Sequence, residues 1–172
     1  MAKTGKDGIV RFGLIGCGEI AMQSLKAIQA SPEVCRITAV QDVVEALAKD
    51  TGAKLETPYV TDAAKLLERD DVDAVVISTP HFLHAPLTIQ AAQAGKHVAC
   101  EKPIACTLEQ ADRMIAACQA AGVLLTVNYV FRYDTPERKA AEFIQAGAIG
   151  KLIRFQAHVA ADKPESYWSG GY

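Results

Sequence analysis

Short apolar runs alternate with alanine-rich amphipathic segments along the first 127 residues. The apolar runs predict six strands, over residues 9–15, 34–40, 58–60, 74–78, 97–100 and 123–127. The segments between them predict five helices, over residues 20–29, 44–49, 63–68, 85–94 and 109–120. Strands that alternate with helices are typical of βαβ units, which build a parallel sheet covered by helices on both faces. The pattern therefore predicts an α/β fold with a doubly wound parallel sheet.

Three of the predicted helices carry signals for where they begin or end. Thr61 or Asp62 is expected to cap the third helix, because either side chain can accept a hydrogen bond from a free backbone amide. Thr107 and Gln110 have the spacing of a capping box and open the fifth helix. The second helix is expected to end near Gly52, since glycine often terminates a helix.

The pattern changes after residue 128. Thr135 and Pro136 predict the N-cap and first turn of a helix over residues 137–145, and residues 152–160 alternate in character like a long strand. One helix and one strand are too few to bury a core of their own. We therefore expect a complete first domain over residues 1–128 and the incomplete beginning of a second α/β domain over residues 129–172.

Composition excludes several classes of function. The 172 residues are 50% hydrophobic and 22% charged, which is typical of a globular chain and not of a disordered one. Lys and Arg number 18 against 20 Asp and Glu, so the net charge of −2 supplies no field that would hold a nucleic acid or an anionic membrane. No apolar run approaches the roughly 18 residues that span a bilayer. We expect a cytoplasmic protein without nucleic-acid or membrane partners.

The cysteines and histidines point to neither a disulfide framework nor a metal site. The five cysteines lack C-x-x-C spacing and are interpreted as reduced thiols. No cluster of His, Cys and Asp has the spacing of metal ligands, so no metal is expected.

A glycine-rich motif, G-x-G-x-x-A, lies between the first strand and the first helix at residues 16–21. Gly16 permits a tight turn, Gly18 lets a pyrophosphate approach the backbone, and Ala21 lets the helix pack closely on the strand. The helix amino terminus, which includes Glu19 and Ile20, adds amide donors for phosphate. These five residues therefore predict a dinucleotide site in a Rossmann-type fold.

Asp42 is the candidate ribose-binding residue. It follows the second strand, 24 residues after Gly18, where a carboxylate can accept both ribose hydroxyls of the adenosine. Val43 and Val44 come next and offer no cation for a 2′-phosphate, so NAD is preferred over NADP. The alternatives are a surface aspartate without a ligand, and a methyltransferase, although methyltransferases normally carry an acidic residue just before the glycines.

A second group of chemically active residues follows the fourth and fifth strands. The segment STPHFLH occupies residues 78–84, and Glu101, Lys102 and Pro103 follow the fifth strand. Because ligands of open α/β sheets lie outside the carboxyl ends of the strands, both segments should border one crevice. A lysine held on a short turn can direct its ammonium at a substrate hydroxyl. The alternative is a solvated surface lysine.

Together these segments resemble the Gfo/Idh/MocA family, typified by glucose–fructose oxidoreductase and inositol dehydrogenase. The resemblance is carried by GLIGCGEIA, by VVISTPHFLHAPLTIQAAQAGKHVACEKPIA, and by NYVFRYD followed by AGAIGKLIRFQ. It runs from about Ile9 to the last residue, and the combination of T-P-x-x-x-H with E-K-P is more specific than the glycine motif. His81 departs from the family, which often has Asn there.

The resemblance implies a nicotinamide-dependent dehydrogenase that transfers hydride between NAD(H) and a hydroxyl or carbonyl of a sugar, cyclitol or related polyol. Lys102 would be the catalytic residue, binding the reacting hydroxyl and assisting its proton transfer, and the Lys102–Pro103 peptide would be cis. Arg132 and Tyr133 would contact the substrate. The further residues implied to line the cofactor are Ser78, Thr79, Pro80, His84, Glu101 and Asn128.

The resemblance also implies a larger protein. Family members have an N-terminal Rossmann domain and a C-terminal α/β domain whose open sheet often makes a homo-oligomer interface. They are about twice as long as this chain, and their second acid/base, commonly a His, falls in a segment beyond residue 172. The 172 residues alone are therefore expected to be inactive or incomplete. The alternative is a catalytically silent NAD-binding module with a regulatory or assembly role.

Overall fold

The structure, a computed structural model, describes residues 8–158, 160, 162 and 165. The chain divides after Asn128 into two compact units. The first contains a parallel sheet of six strands, Val10–Ile15 (β1), Cys35–Gln41 (β2), Tyr59–Val60 (β3), Ala74–Ile77 (β4), His97–Cys100 (β5) and Leu125–Val127 (β6). Its helices are Ala21–Gln29 (α1), Glu45–Leu55 (α2), Ala63–Leu67 (α3), His84–Gln93 (α4) and Leu108–Ala121 (α5). The prediction of a doubly wound α/β fold is confirmed.

The order of the strands creates a crevice at one edge of the sheet. The order is β3-β2-β1-β4-β5-β6, so the chain builds outward from β1 on one side and then crosses over to build outward from β4 on the other. The connections after β1 and β4 therefore leave in opposite directions, which opens a crevice at the carboxyl ends of these two strands. Ile15 pairs with both Gln41 and Ile77, so the last residues of the three central strands are in register.

The sheet is apolar on both faces, as a sheet covered by two layers of helices requires. Leu14 packs with Leu25 of α1 on one face, whereas its neighbour Ile15 packs on the other face with Leu66 of α3. All four residues of β4 are buried. Alternate residues of a strand point to opposite faces, so these uninterrupted apolar runs indicate central strands of a two-sided core.

The second helix does not end near Gly52, and that prediction is wrong. Helix α2 continues to Leu55 and ends at Glu56, which adopts a left-handed conformation with φ of 52°. Gly52 is buried inside the helix, where an added Cβ would lie 2.9 Å from the carbonyl oxygen of Thr57. The glycine therefore serves close packing between α2 and the loop before β3, and not helix termination.

The predicted helix starts are largely confirmed. Asp62, rather than Thr61, caps α3, because its carboxylate accepts a hydrogen bond from the amide of Ala64 at 2.9 Å. The hydroxyl of Thr107 accepts from the amide of Gln110 at 3.2 Å. In return, the side chain of Gln110 accepts from the amide of Cys106, one residue before the N-cap.

The second unit contains a 3₁₀ turn, Val130–Arg132, and the helix Thr135–Gln145 (α6), which begins two residues earlier than expected. The strand predicted over residues 152–160 is wrong for its described part, since residues 152–158 and 160 belong to no strand; Val159 lies outside the described residues. A strand is stabilised by hydrogen bonds to a neighbouring strand. The described residues of this unit provide no such neighbour.

Candidate functional site

The residues that follow the strands form a row along the carboxyl edge of the sheet. The backbone amides of Gly16, Ser78, Glu101 and Asn128 each donate to a carbonyl of the adjacent strand over 2.8–2.9 Å. The sheet hydrogen bonds therefore continue one residue past the strands. This continuation fixes the first residue of each functional loop as firmly as the strand itself.

The glycine motif forms a tight turn directly against the end of β4. Gly16 has φ of +90°, and a Cβ added to it would lie 2.8 Å from the carbonyl oxygen of Ser78. Both the left-handed backbone and this close approach require glycine. At Gly18 an added Cβ would meet no heavy atom within 4 Å. The protein itself thus leaves the space beside Gly18 open.

The Asp42 side chain is fixed by two backbone amides. Oδ2 accepts a hydrogen bond from the amide of Cys17 at 2.8 Å, and Oδ1 accepts one from the amide of Val44 at 2.9 Å. A carboxylate oxygen has two lone pairs, so each oxygen keeps the capacity to accept one further hydrogen bond. Asp42 can therefore hold the glycine turn and accept from a pair of ligand hydroxyls at the same time.

Cys17 keeps the glycine turn free of negative charge. Burial raises the pKa of its thiol to about 11, with a further contribution from the nearby Asp42 carboxylate and an opposing one from a hydrogen bond with Thr51. The thiol is therefore neutral at physiological pH. A thiolate at this position would repel a phosphate bound by the turn.

A cleft of about 460 Å³ lies at the crevice between β1 and β4. The hydroxyl oxygens of Ser78 and Thr79, two of its lining residues, are buried and have no hydrogen-bond partner within the described residues. Of the described residues that line it, only Asp42 and Asp62 are charged. Its lining comprises Gly16, Gly18, Gln41, Asp42, Val43, Thr61, Asp62, Ala63, Ser78, Thr79, Pro80, Leu83 and Leu87.

Beside the cleft, at the ends of β5 and β6, Glu101 is held by several partners. Its Oε1 accepts a hydrogen bond from Nδ2 of Asn128 at 3.0 Å, and the hydroxyl of Ser24 on α1 lies 3.5 Å from the same oxygen. Its Oε2 accepts from the amide of Lys102 at 3.3 Å. Glu101 therefore links α1, the end of β6 and the Lys102 turn. The side chain of Lys102 is exposed, and the Lys102–Pro103 peptide is cis, as the resemblance implied.

The structure does not bring all of the predicted residues to the surface of the cleft. Ala21 is fully buried against the sheet, where its small side chain lets α1 approach β1, and Glu19 and Ile20 precede it in the turn without lining the cleft. His84 is also fully buried. Arg132 and Tyr133 are exposed and belong to the second unit.

Sequence reasoning missed several cleft residues. Thr61 follows β3, whereas Leu83 and Leu87 follow β4, Leu83 on a short 3₁₀ turn, His81–Leu83, and Leu87 on α4. The topology could have indicated these residues, because every segment that leaves the carboxyl edge of the sheet borders the same crevice. Ser24 carried no signal, since its contact with Glu101 joins residues 77 positions apart.

This arrangement fits a dinucleotide. The open space at Gly18 admits a pyrophosphate beside the amino terminus of α1, where backbone amides and the helix dipole favour negative charge. Asp42 can accept ribose hydroxyls, and Leu83 and Leu87 offer an apolar wall for a base.

Within the residues that the structure covers, no group of three or more His, Cys, Asp or Glu side chains is placed to hold a metal ion. None of the described helices is long and apolar enough to cross a membrane.

The chain is similar to known oxidoreductases in both sequence and structure. The family model described as "Oxidoreductase family, NAD-binding Rossmann fold" matches residues 10–129. Among curated proteins, the dTDP-3,4-didehydro-2,6-dideoxy-alpha-D-glucose 3-reductase of Actinomadura kijaniata is 37% identical over 149 residues. This match covers 86% of the chain and 45% of the reductase.

Two solved structures combine the same fold with a bound nicotinamide cofactor. The 3-ketoreductase KijD10 of A. kijaniata, in complex with NADP and TDP-benzene, superposes with a TM-score of 0.77 at 37% identity, over 83% of this chain and 44% of its own. The WlbA dehydrogenase of Bordetella pertussis, in complex with NADH and UDP-GlcNAcA, superposes with a TM-score of 0.79 at 32% identity, over 83% and 43%. The chain thus spans less than half the length of each of these proteins.

Proposed function

The chain belongs to the Gfo/Idh/MocA oxidoreductase family, and from this we propose that it is the cofactor-binding part of a nicotinamide-dependent dehydrogenase. Residues 1–128 would form the dinucleotide-binding domain, and residues 129–172 would begin the substrate domain. The observation that carries the proposal is the cleft that lies between the glycine turn and Asp42, at the crevice between β1 and β4.

We propose NAD, in preference to NADP, as the cofactor. Among the residues that the structure describes, the charged groups that line the cleft are the carboxylates of Asp42 and Asp62, without a Lys or Arg. The 2′-phosphate of NADP carries close to two negative charges and would lie beside Asp42, where like charges repel. A ribose with two free hydroxyls can instead donate to the Asp42 carboxylate.

Each part of NAD would contact a different part of the cleft. The amides at the start of α1 would hold the pyrophosphate, with Gly18 giving it room. The unpartnered hydroxyls of Ser78 and Thr79 would gain a partner in the bound cofactor. When bound, the nicotinamide ring supplies hydride chemistry. The protein's part is to bind, to orient and to move a proton.

Lys102 is the proposed proton-handling residue. Its ammonium is exposed at the carboxyl edge of the sheet, and the turn that carries it is tied by Glu101 to Asn128 and α1. An ammonium at this place can donate to a substrate hydroxyl or carbonyl oxygen and exchange a proton with it. The proposed substrates are sugars, cyclitols or related polyols, in keeping with the UDP-GlcNAcA bound to the WlbA dehydrogenase and with the dTDP-linked deoxyglucose in the name of the curated reductase.

Calorimetric titration of the chain with NAD, NADH, NADP and S-adenosylmethionine tests the cofactor. We expect NAD and NADH to bind at least tenfold more tightly than NADP, and S-adenosylmethionine not to bind. Tighter binding of NADP would overturn the proposed preference, and binding of S-adenosylmethionine alone would overturn the enzyme class.

The role of Lys102 is tested in the same assay with Lys102→Ala. We expect the affinity for NAD to stay within about twofold, since the ammonium is proposed to act on the substrate. A large loss of affinity would make Lys102 a cofactor anchor instead.

A further inference from the structure

His84 joins the two turns that border the site. The side chain is fully buried at the first position of α4. Its Nδ1 lies 2.8 Å from the carbonyl oxygen of Pro103, and its Nε2 lies 3.0 Å from the carbonyl oxygen of Thr79. A carbonyl oxygen only accepts hydrogen bonds, so a ring nitrogen bonded to either of them must carry a proton.

The two carbonyls belong to different functional segments. Thr79 lines the cleft directly after β4. Pro103 follows Lys102 in the turn after β5. On its other side, Lys102 follows Glu101, whose carboxylate is held by Asn128 and whose amide continues the sheet hydrogen bonds. The hydrogen bond from His84 therefore completes the support of the Lys102 turn, so that Lys102 is held on both sides.

We propose that His84 is a positioning residue that sets the place of the Lys102 ammonium at the nicotinamide end of the cofactor. The decisive contact is the hydrogen bond from Nδ1–H to the Pro103 carbonyl. The inference rests on the proposed NAD site and deepens it. It also replaces the expectation that His84 contacts the cofactor, because a fully buried ring below the turns has no surface to offer a ligand.

The two nitrogens can be tested separately with amide side chains. In Asn the side-chain nitrogen is bonded to Cγ, as Nδ1 is in His, whereas in Gln it lies one bond further out, as Nε2 does. His84→Asn therefore keeps a donor for the Pro103 carbonyl, and His84→Gln keeps one for the Thr79 carbonyl. If the contact with the Pro103 carbonyl positions Lys102, then only His84→Asn keeps Lys102 in its wild-type position.

The position of Lys102 can be measured without a substrate. Reductive methylation with ¹³C-formaldehyde converts each lysine to a dimethylamine that keeps its positive charge, and Lys102→Arg identifies the Lys102 signal. Because the ring of NAD⁺ carries one more positive charge than that of NADH, a nearby dimethyl-lysine has a different ¹³C shift in the two complexes. We expect this difference in the wild type and in His84→Asn, and a difference reduced by at least half in His84→Gln.

The control variant is His97→Gln, at the opposite end of β5. The Nδ1 of His97 accepts a hydrogen bond from the amide of Leu124 at 2.9 Å, so this variant also loses a histidine contact to the backbone, but one far from the Lys102 turn. It should leave the shift difference unchanged. A full difference in His84→Gln, equal losses in His84→Asn and His84→Gln, or a wild-type signal that does not distinguish NAD⁺ from NADH would each overturn the inference.

Failure of the proposed function gives a different result, namely no calorimetric binding of NAD by the wild type. If both His84 variants unfold, long-range ¹H–¹⁵N correlation spectra of the wild type decide the question. Nδ1 of His84 should carry a proton, whereas Nδ1 of His97 should not, and an unprotonated Nδ1 in His84 would overturn the inference.

Discussion

The carboxylate of Asp42 accepts a hydrogen bond from the backbone amide of Cys17, 25 positions earlier in the chain, at 2.8 Å. The side chain proposed to bind ribose therefore also holds the glycine turn in place. The second oxygen accepts from Val44, two residues further on. Loss of the carboxylate has two consequences, a looser turn and a missing ribose acceptor, and an experiment must separate them.

The ratio of NAD to NADP affinity makes that separation. A looser turn weakens both cofactors equally, whereas removal of the negative charge penalises NAD and relieves the repulsion of a 2′-phosphate. For Asp42→Ala we expect NAD affinity to fall at least tenfold, since hydrogen bonds to a charged group contribute about 1.5–3 kcal/mol. NADP affinity should fall less or rise. Calorimetric titration of both cofactors provides the measurement.

Asp62→Asn is the matched control for this prediction. Asp62 lines the same cleft, and asparagine keeps an oxygen that can accept from the amide of Ala64 and so cap α3. The variant should change NAD affinity by less than about threefold. A parallel fall of NAD and NADP affinity in Asp42→Ala would show that Asp42 only shapes the turn.

The features that the sequence predicted are those set by nearby residues. The strands are short apolar runs, the glycine motif is recognised by its own spacing, and the cap at Thr107 depends on Gln110, three positions away. The features it did not predict depend on register or packing across the fold. Gly52 looks like a helix end, yet an added Cβ there would also approach Val40 of β2, and the contact between Ser24 and Glu101 joins residues 77 positions apart.

The second unit shows that an alternating pattern is not sufficient to predict a strand. Residues 152–158 have an alternating pattern, yet they belong to no strand in the part of the chain that the structure describes. A periodic pattern reports which face a strand would bury, but the hydrogen bonds come from a neighbouring strand. Local sequence therefore cannot predict whether such a segment pairs.

Alanine should destabilise the fold at Gly16 but leave its stability nearly unchanged at Gly18. Gly16→Ala places a Cβ at 2.8 Å from the carbonyl oxygen of Ser78 on a backbone with φ of +90°. We expect it to lower the free energy of unfolding by about 1–3 kcal/mol. Gly18→Ala meets no atom of the protein within 4 Å, so its free energy of unfolding should stay within about 1 kcal/mol of the wild type.

If a pyrophosphate occupies the space beside Gly18, Gly18→Ala should nevertheless weaken NAD binding at least tenfold. Urea unfolding and calorimetry on the two variants provide the test. A stable Gly18→Ala that binds NAD as the wild type does would place the pyrophosphate elsewhere.

The cysteines should differ strongly in their reactivity with iodoacetamide. Burial raises the pKa of Cys17 to about 11 and that of Cys100 to about 12, and it also raises the pKa of Cys118. The thiolate is the reactive form, so these buried thiols should be modified slowly at pH 8. Cys106 is exposed, and mass spectrometry should find it labelled first. Labelling of Cys17 as fast as Cys106 would contradict the buried position of the glycine turn.

The salt bridge between Arg11 and Asp73 should give the fold part of its resistance to acid. Nη2 of Arg11 lies 2.6 Å from Oδ1 of Asp73, and both Nε and the backbone amide of Arg11 donate to Oδ2 at 2.9 Å. The Asp73 side chain is only 3% exposed. These hydrogen bonds from Arg11 lower the pKa of Asp73, against the opposing effect of burial.

Because the pKa of Asp73 is lower in the folded than in the unfolded state, its stabilisation is complete above pH of about 4. It is lost as pH falls through the folded-state pKa. Asp73→Asn should therefore lower the free energy of unfolding at pH 7 by about 2–3 kcal/mol, since it removes the buried carboxylate that pairs with the partly buried Arg11 guanidinium. The free energy of unfolding of this variant should also depend less steeply on pH below pH 4.

The exposed salt bridge between Arg69 and Asp71 is the control that shows how much burial contributes to the salt bridge between Arg11 and Asp73. The Asp71 side chain is 45% exposed, and its pKa is also lowered, chiefly by the hydrogen bond from Arg69. Solvent screens such a pair, so Asp71→Asn should cost less than about 1 kcal/mol. Urea unfolding of both variants at pH 7 and pH 3 gives the measurement. Equal losses at pH 7 would mean that burial of Asp73 adds nothing to its interaction with Arg11.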